Sequence, residues 1–234
     1  IHLTKVDSEY PDNKLTGAAF EVYKDSNANG KLDSGDELLG TLTEKEKGEY
    51  SMNDLFHGRY FVKETKAPEG FVLDTGVYEV MIDTNGKTYE VENKAGVGFI
   101  NEAMRGNLKI VKTSSDGKVK GFAFRITGAN GYDIILETND KGEIFIDGLR
   151  IGDYTISEVS NSASSMYVLP ADKKATVKLG STTIVEMHNV LRDTPKTGDT
   201  TNLPLLYALA GLSAVGIAVC GVVGFKKKKK EDRN

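Results

Sequence analysis

At 234 residues, with 39% hydrophobic and 27% charged side chains, the chain is too apolar for a disordered polymer and long enough for one or two domains of roughly 100–200 residues. A single cysteine, Cys220, excludes an internal disulfide, and 25 Gly against 5 Pro suit a turn-rich β protein rather than collagen or a Pro-rich stalk. Residues 226–234 carry five Lys and one Arg against one Glu and one Asp; this +4 within a total of −4 leaves −8 for residues 1–225, an acidic body that argues against nucleic acid as a partner.

The first stretch, IHLTK (1–5), alternates apolar and polar positions, as does GAAFEV (17–22). Between GAAFEV and the next alternating run lies DSNANGKLDSGD (25–36), which fits the spacing of a calcium loop. Its oxygens would come from Asp25, Asn27, Asn29, Asp33 and Asp36, with Gly30 at the turn and Lys31 offering its carbonyl. Asp36 stands where Glu is usual and no helices flank the loop, so any calcium bound is expected only at millimolar extracellular levels. GEYSMNDLFHGRYFVKE (48–64), VYEVMID (77–83) and VGFIN (97–101) follow, punctuated by turn residues such as Asp83-Thr84-Asn85-Gly86.

After a short connection at Ala103-Met104-Arg105-Gly106 the pattern repeats. LKIVK (108–112) matches IHLTK, GFAFRI (121–126) matches GAAFEV, GEIFIDGLRIGDYTISE (142–158) aligns without a gap to residues 48–64, and VEMHN (185–189) matches VGFIN. The turns Asp116-Gly117, Asn130-Gly131 and Asp140-Lys141-Gly142 divide this half. Many short alternating strands predict two β-sandwiches, residues 1–103 and 106–190. A connection this short suggests a stiff tandem rod.

Strand parity places three polar residues on the apolar face in both halves. Lys5 follows Ile1 and Leu3, as Lys112 follows Leu108 and Ile110; Glu64 follows Tyr60 and Val62, as Glu158 follows Tyr154 and Ile156; Asn101 follows Val97 and Phe99, as Asn189 follows Val185 and Met187. The bland reading is of edge lysines and surface glutamates that merely alternate, but the six positions match across both repeats. Burying such groups unpaired is costly, so they are expected to meet. Burial lowers a lysine pKa and raises that of a glutamate. A neutral amine is a nucleophile, and a protonated Glu can hydrogen-bond the Asn carbonyl and pass protons as ammonia leaves. The expected product is a Lys–Asn isopeptide formed once per domain, with Glu64 and Glu158 as promoters, Lys5 joined to Asn101 and Lys112 to Asn189. Lys63 and Lys109 point the other way. His2, His57 and His188 lie beside no obvious nucleophile, and there is no zinc spacing, P-loop or Rossmann glycine pattern. No conventional enzyme activity is expected, only this single-turnover reaction, and no cofactor is required for it.

The tail begins at residues 191–202, a linker containing Thr194-Pro195-Lys196-Thr197-Gly198. Residues 203–225, LPLLYALAGLSAVGIAVCGVVGF, hold no charge, and a helix of that length covers the roughly 30 Å of bilayer hydrocarbon. The basic run from Lys226 opens a short tail (226–234) that stays cytoplasmic and sets the rest of the chain outside. The chain begins at Ile1 with neither Met nor a signal peptide, and a protein with this tail must be exported, so the sequence is expected to be the C-terminal part of a longer one.

The order of pentapeptide, apolar span and basic tail resembles the cell-wall sorting signal of Gram-positive surface proteins, whose motif is Leu-Pro-x-Thr-Gly. Pro195, Thr197 and Gly198 match, and Thr194 replaces Leu. That resemblance implies cleavage by a sortase after Thr197 and transfer of its carboxyl to an amine of a peptidoglycan precursor or another pilin subunit. GAAFEV (17–22) and YFVKETKAPEGF (60–71) resemble the SpaA-like, collagen-adhesin B-type domains of Gram-positive pilins and adhesins, in which Tyr-x-x-x-Glu-Thr-x-Ala-Pro-x-Gly-Tyr is the E-box. The resemblance implies an Ig-like, prealbumin-like sandwich in which the box glutamate promotes a bond between a first-strand Lys and a last-strand Asn, assigning those roles to Glu64, Lys5 and Asn101. In the second repeat the box reads YTISEVSNSAS, without its Thr-x-Ala-Pro-x-Gly part. The expected whole is an all-β tandem of two sandwiches with a C-terminal transmembrane helix, held at the cell surface as a pilin or adhesin stalk that meets sortase and a host surface ligand. The alternatives are the anchor stalk of an extracellular enzyme and a permanently membrane-held receptor. No Val-Tyr-Pro-Lys pilin motif occurs in these residues.

Overall fold

Alternating sequence becomes sheet throughout the computed structural model, which describes residues 1–193. The pentapeptide Thr194–Gly198, the apolar span and the basic tail lie outside the described residues. Among the described residues no helix is long and apolar enough to cross a membrane.

The first half contributes β1 (His2–Asp7), β2 (Ala19–Lys24), β3 (Glu37–Thr41), β4 (Thr43–Glu46), β5 (Glu49–Ser51), β6 (Gly58–Lys66), β7 (Val77–Ile82) and β8 (Phe99–Asn101). They form two four-stranded sheets, ordered β4-β5-β1-β8 and β3-β2-β6-β7. The second half contributes β9 (Arg105–Ser114), β10 (Ala123–Thr127), β11 (Asp133–Glu137), β12 (Glu143–Arg150), β13 (Gly152–Val159), β14 (Tyr167–Val168), β15 (Lys173–Val177) and β16 (Thr182–Leu191). Its sheets are ordered β12-β9-β16-β14 and β11-β10-β13-β15. The two halves share a plan: β5-β1-β8 corresponds to β12-β9-β16, and β3-β2-β6-β7 to β11-β10-β13-β15. They differ in the outermost strand of the first sheet, which flanks β5 in one half and β16 in the other.

Each sandwich is closed by the inward rows that alternation predicts. Leu3, Phe20, Val22, Tyr60, Val62 and Phe99 fill the first core; Leu108, Ile110, Phe124, Ile126, Ile156 and Met187 fill the second. Burying each such side chain contributes about 1.5–3 kcal/mol. Phe20 lies edge-on to Phe99 and Tyr50, with ring centroids 5.0 and 5.4 Å apart. First and last strands are parallel neighbours in both halves: β1 on β8 and β9 on β16. β8 is much shorter than its counterpart, and Val97, expected on its inner face, lies ahead of it and is half-buried. The reason is Gly98, at φ +125, where a Cβ would stand 2.7 Å from the Thr4 carbonyl oxygen. The chain passes too close to β1 there for a regular strand.

The connection is shorter than its sequence suggests. Only Glu102–Met104 separates β8 from β9, and this segment is stitched to both sides. Ala103 bridges Phe71, the Met104 N–H donates to the Gly70 carbonyl at 2.8 Å, and the Ile151 N–H donates to the Met104 carbonyl at 3.0 Å. Residues Ile1–Arg192 form one compact unit.

Candidate functional site

Each sandwich encloses an amine, a carboxyl group and an amide. Lys5 and Glu64 are wholly shielded from solvent and Asn101 is 3% exposed; in the second half Lys112, Glu158 and Asn189 are 1%, 8% and 0% exposed. The parallel register explains the meeting. Lys5 pairs with Phe99, which puts Asn101 two positions along on the same face; Lys112 pairs with Met187, which puts Asn189 at the same offset. The glutamates come from the facing sheet, on β6 and β13. The Asn101 amide donates to Glu64 Oε2 at 2.8 Å, and the Asn189 amide to Glu158 Oε1 at 2.6 Å. Asn101 also donates to the Val72 carbonyl. Lys5 Nζ donates to the Phe99 carbonyl at 2.9 Å, and Lys112 Nζ to that of Thr113. An aromatic ring walls each amine: Nζ lies 5.3 Å from the Phe99 centroid and 4.1 Å from that of Phe122.

Burial shifts both groups toward their neutral forms. Burial lowers Lys5 from 10.5 to about 8, against the pull of Glu64, Asp74 and Asp7. Burial raises Glu64, outweighing its hydrogen bonds from Asn101 and the Asp74 N–H and the attraction of Lys5. In the second half burial likewise lowers Lys112, against Glu158 and Asp116, and raises Glu158, against the Asn189 bond and Lys112. In both halves the same two kinds of buried atom lack a partner: one carboxyl oxygen (Glu64 Oε1, Glu158 Oε2) and the amide oxygen (Asn101 Oδ1, Asn189 Oδ1). An ionised carboxylate can only accept; a protonated one supplies a donor. Rotating the amide exchanges its oxygen and nitrogen, so a protonated Glu can donate to the Asn oxygen. A nucleophile, an acid and an acyl carbon with a small leaving group thus share one dry site.

The E-box supports this site through its turn. Tyr60 donates to the Phe56 carbonyl at 2.7 Å and Tyr154 to that of Arg150 at 2.9 Å, the same corner in both halves. Thr-x-Ala-Pro-x-Gly carries the chain through a turn at Pro68–Phe71 that ends on the linker. In the second half, where that run is missing, Asn161 accepts from the Ala163 and Ser164 N–H groups and donates to the Gly121 carbonyl at 2.7 Å. An Asx turn replaces the Pro turn.

Other residues fall as parity requires. Lys63 is half-buried on the outer side, and Lys109 pairs with Glu143 at 2.7 Å. His2 lies between Glu49 and Glu90, His57 is exposed, and His188 meets Thr113 at 2.8 Å. Sequence reasoning missed Asp74, whose backbone N–H donates to Glu64 Oε2 at 2.7 Å and whose carboxylate accepts from Tyr78, Asn93 and the Gly76 N–H. Burial pushes Asp74 up, but those bonds hold it below the usual range. It also missed Asp7, a wholly buried carboxylate. Asp7 has the same parity as Lys5, so alternation did carry a signal.

The Asp25–Asp36 loop folds on its own hydrogen bonds. Asp25 accepts from the Asn29 and Gly30 N–H groups and meets Arg59 at 3.3 Å. The amides of Asn27 and Asn29 donate to Asp33 at 3.0 and 2.6 Å, and Asp36 accepts from the Asp33 N–H. The Asn29 oxygen accepts from the Lys31 N–H at 2.8 Å. The Gly35 N–H and these amides hold Asp33 below the usual carboxylate range. Among the described residues no group of three or more His, Cys, Asp and Glu converges as metal ligands.

Two prealbumin-like sandwiches, each enclosing a buried Lys–Glu–Asn set, define a class of repeat module. The family model described as SpaA, prealbumin-like fold domain, matches residues 1–95 and 106–190, and the chain belongs to that family. It is 30% identical over 186 residues to the trypsin-resistant surface T6 protein of Streptococcus pyogenes serotype M6. That match covers 77% of this chain and 30% of the relative, so the chain spans about a third of the relative's length. Among solved structures, the Bacillus anthracis TIE protein shares the fold with a TM-score of 0.59 at 24% identity, over 81% of this chain and 34% of that one. A minor pilin of Streptococcus agalactiae aligns at 19% identity over 85% of this chain and 98% of its own, with a TM-score of 0.38.

Proposed function

We propose that the chain is the stalk of a cell-wall-anchored surface protein, a pilin or adhesin, in which each sandwich locks itself with one isopeptide bond. The observation that carries this reading is the doubled Lys–Glu–Asn set, buried and in one register in both repeats. The neutral Lys5 amine attacks Asn101 Cγ while protonated Glu64 donates to Oδ1. The new Cγ–Nζ bond forms, the Cγ–Nδ2 bond breaks, and Nδ2 leaves as ammonia carrying a proton relayed from Nζ, so that Glu64 ends as it began. Lys112, Glu158 and Asn189 repeat the step. The reaction runs once and yields a brace, not turnover. Tryptic mapping of the purified chain is expected to yield two branched peptides, one joining residues 5 and 101, the other 112 and 189. Recovery of the four unlinked peptides retires the reading.

The surface location draws on the relative's printed description as a surface protein and on the order of the tail. In this reading a sortase cuts between Thr197 and Gly198 and passes the Thr197 carboxyl to a peptidoglycan precursor or another pilin subunit, and a host surface ligand is met by the assembled protein. Incubation with sortase and a labelled amine is expected to label the chain at Thr197 and to leave Thr197→Ala unlabelled; equal labelling of both removes that step, and no labelling of either favours the permanent membrane anchor.

The Asp25–Asp36 loop is proposed to take calcium at millimolar levels through Asp25, Asn27, Asn29, Asp33, Asp36 and the Lys31 carbonyl. Titration calorimetry should give a binding heat that Asp33→Asn removes; no heat in the parent chain retires the site.

A further inference from the structure

Two guanidinium groups cross the junction between the sandwiches: Arg105 pairs with Glu9, and Arg150 reaches deeper. Arg150, at the end of β12, binds both oxygens of Asp7 in the first half, at 2.6 and 2.7 Å, and reaches Glu9 at 2.8 and 3.1 Å. Its guanidinium carbon lies 4.9 Å from the centroid of the Tyr10 ring. This two-pronged fork is the strong geometry for a guanidinium on a carboxylate. Arg150 is held in place by its neighbours: its carbonyl accepts from Tyr154, and the next N–H donates to the Met104 carbonyl.

Asp7 occupies a position that matters. It follows Lys5 by two residues on the same inner face of β1 and lies opposite Asn101 in the β1–β8 register. A bare carboxylate there would hold the proton on the amine, the wrong form for a nucleophile. Three anionic groups face Lys5: Glu64 from β6, Asp74 from the segment after β6, and Asp7 from β1 itself. Glu64 is the proton carrier and Asp74 is tied by Asn93, Tyr78 and the Gly76 N–H. Asp7 accepts from the Glu9 and Tyr10 N–H groups of its own sandwich, but the cation that matches its charge comes from the other one. The corresponding position beside Lys112 is Ser114, which carries no charge to be matched. The residue corresponding to Arg150 is Phe56, 83% exposed.

We propose that Arg150 is a positioning residue acting across the junction: by neutralising Asp7 it frees the Lys5 amine to react, so that docking of the second sandwich promotes cross-linking of the first. This rests on the isopeptide reading. The test uses the whole 234-residue chain, translated cell-free into detergent micelles, with both linkages followed in time by tryptic mapping from pH 6 to 10. Arg150→Gln is expected to slow the Lys5–Asn101 linkage by about ten-fold, the effect of about one pKa unit, and to move the alkaline limb of its rate profile to higher pH. The Lys112–Asn189 linkage is expected to keep its rate and serves as an internal clock. Asp7→Asn combined with Arg150→Gln is expected to regain the parent rate, since both charges are then gone. An unchanged rate and profile in Arg150→Gln overturns the proposal, as does a double variant as slow as the single, which marks a merely structural contact. If Arg150→Gln does not fold, Asp7→Asn alone decides: linkage at least as fast as in the parent supports the proposal, and slower linkage overturns it. A parent chain that links at neither site overturns the isopeptide reading itself, and this proposal with it.

Discussion

Glu64→Gln is expected to leave the first sandwich unlinked, to keep one more ammonia than the parent protein, and to melt on the order of 10 °C lower. Gln preserves the size of the side chain but cannot supply the acidic proton. The stability change follows from chain entropy. A link from residue 5 to residue 101 closes nearly the whole domain, and by analogy with a disulfide across a loop of about 100 residues it contributes about 4–5 kcal/mol. For a protein of this size each kcal/mol moves the midpoint by about 2–4 °C. Asn101→Ala should show the same missing mass loss, but it also removes the amide bonded to Glu64 and the Val72 carbonyl, so Glu64→Gln is the cleaner comparison. Intact mass and scanning calorimetry on the same sample read both quantities. Full ammonia loss in Glu64→Gln removes Glu64 from the reaction.

The second large effect is on pH. The proposed mechanism requires an arrangement that holds one proton, on Glu64 rather than on Lys5. Burial lowers Lys5 to about 8 and raises Glu64, so one shared proton is bound in the interval between. The linkage rate should therefore be flat across that interval, fall above about pH 8 as the shared proton is lost, and fall at low pH as a second proton binds. The equilibrium counterpart is measurable in Asn101→Ala, where Lys5 stays free. Its amine titrates lower in the folded state than the ordinary 10.5, so the folded chain holds fewer protons than the unfolded one between about 8 and 10.5. Stability should rise with pH across that window, by up to about 3 kcal/mol, whereas the raised Glu64 should make stability fall as pH climbs above the ordinary glutamate value. Denaturant melts at pH 7, 8.5 and 10 check the first sign. A decline across them would mean that Lys5 is not desolvated.

The buried Lys–Glu–Asn set could be read from the sequence because its signal is local and doubled. Alternation needs only neighbouring residues, so the inward parity of Lys5, Glu64 and Asn101 was legible without knowing which strands pair. The repeat supplied Lys112, Glu158 and Asn189 at matching offsets. Even the missing Thr-x-Ala-Pro-x-Gly in the second box was legible as an absence; its replacement by the Asn161 turn was not, because an Asx turn depends on which backbone groups come near. The polar spacing of residues 25–36 was equally plain, while the placement of Arg59 on Asp25 follows from β6 pairing with β2, whose end opens the loop.

By itself the sequence determined that the chain is all-β, that it is doubled, that three polar residues in each half face inward, and that its tail has the order of pentapeptide, apolar span and basic run. Those properties follow from periods of two residues, from self-similarity and from composition, and none of them needs contacts between distant segments. The tertiary structure alone decided the parallel register that sets each Asn two positions past its Lys, the shortening of β8 where Gly98 crowds Thr4, and the guanidinium that crosses from Arg150 to Asp7, residues 143 apart in the chain. Contacts of that range depend on how two folded surfaces meet, and the free energy of a buried ion pair lies in that meeting rather than in either segment.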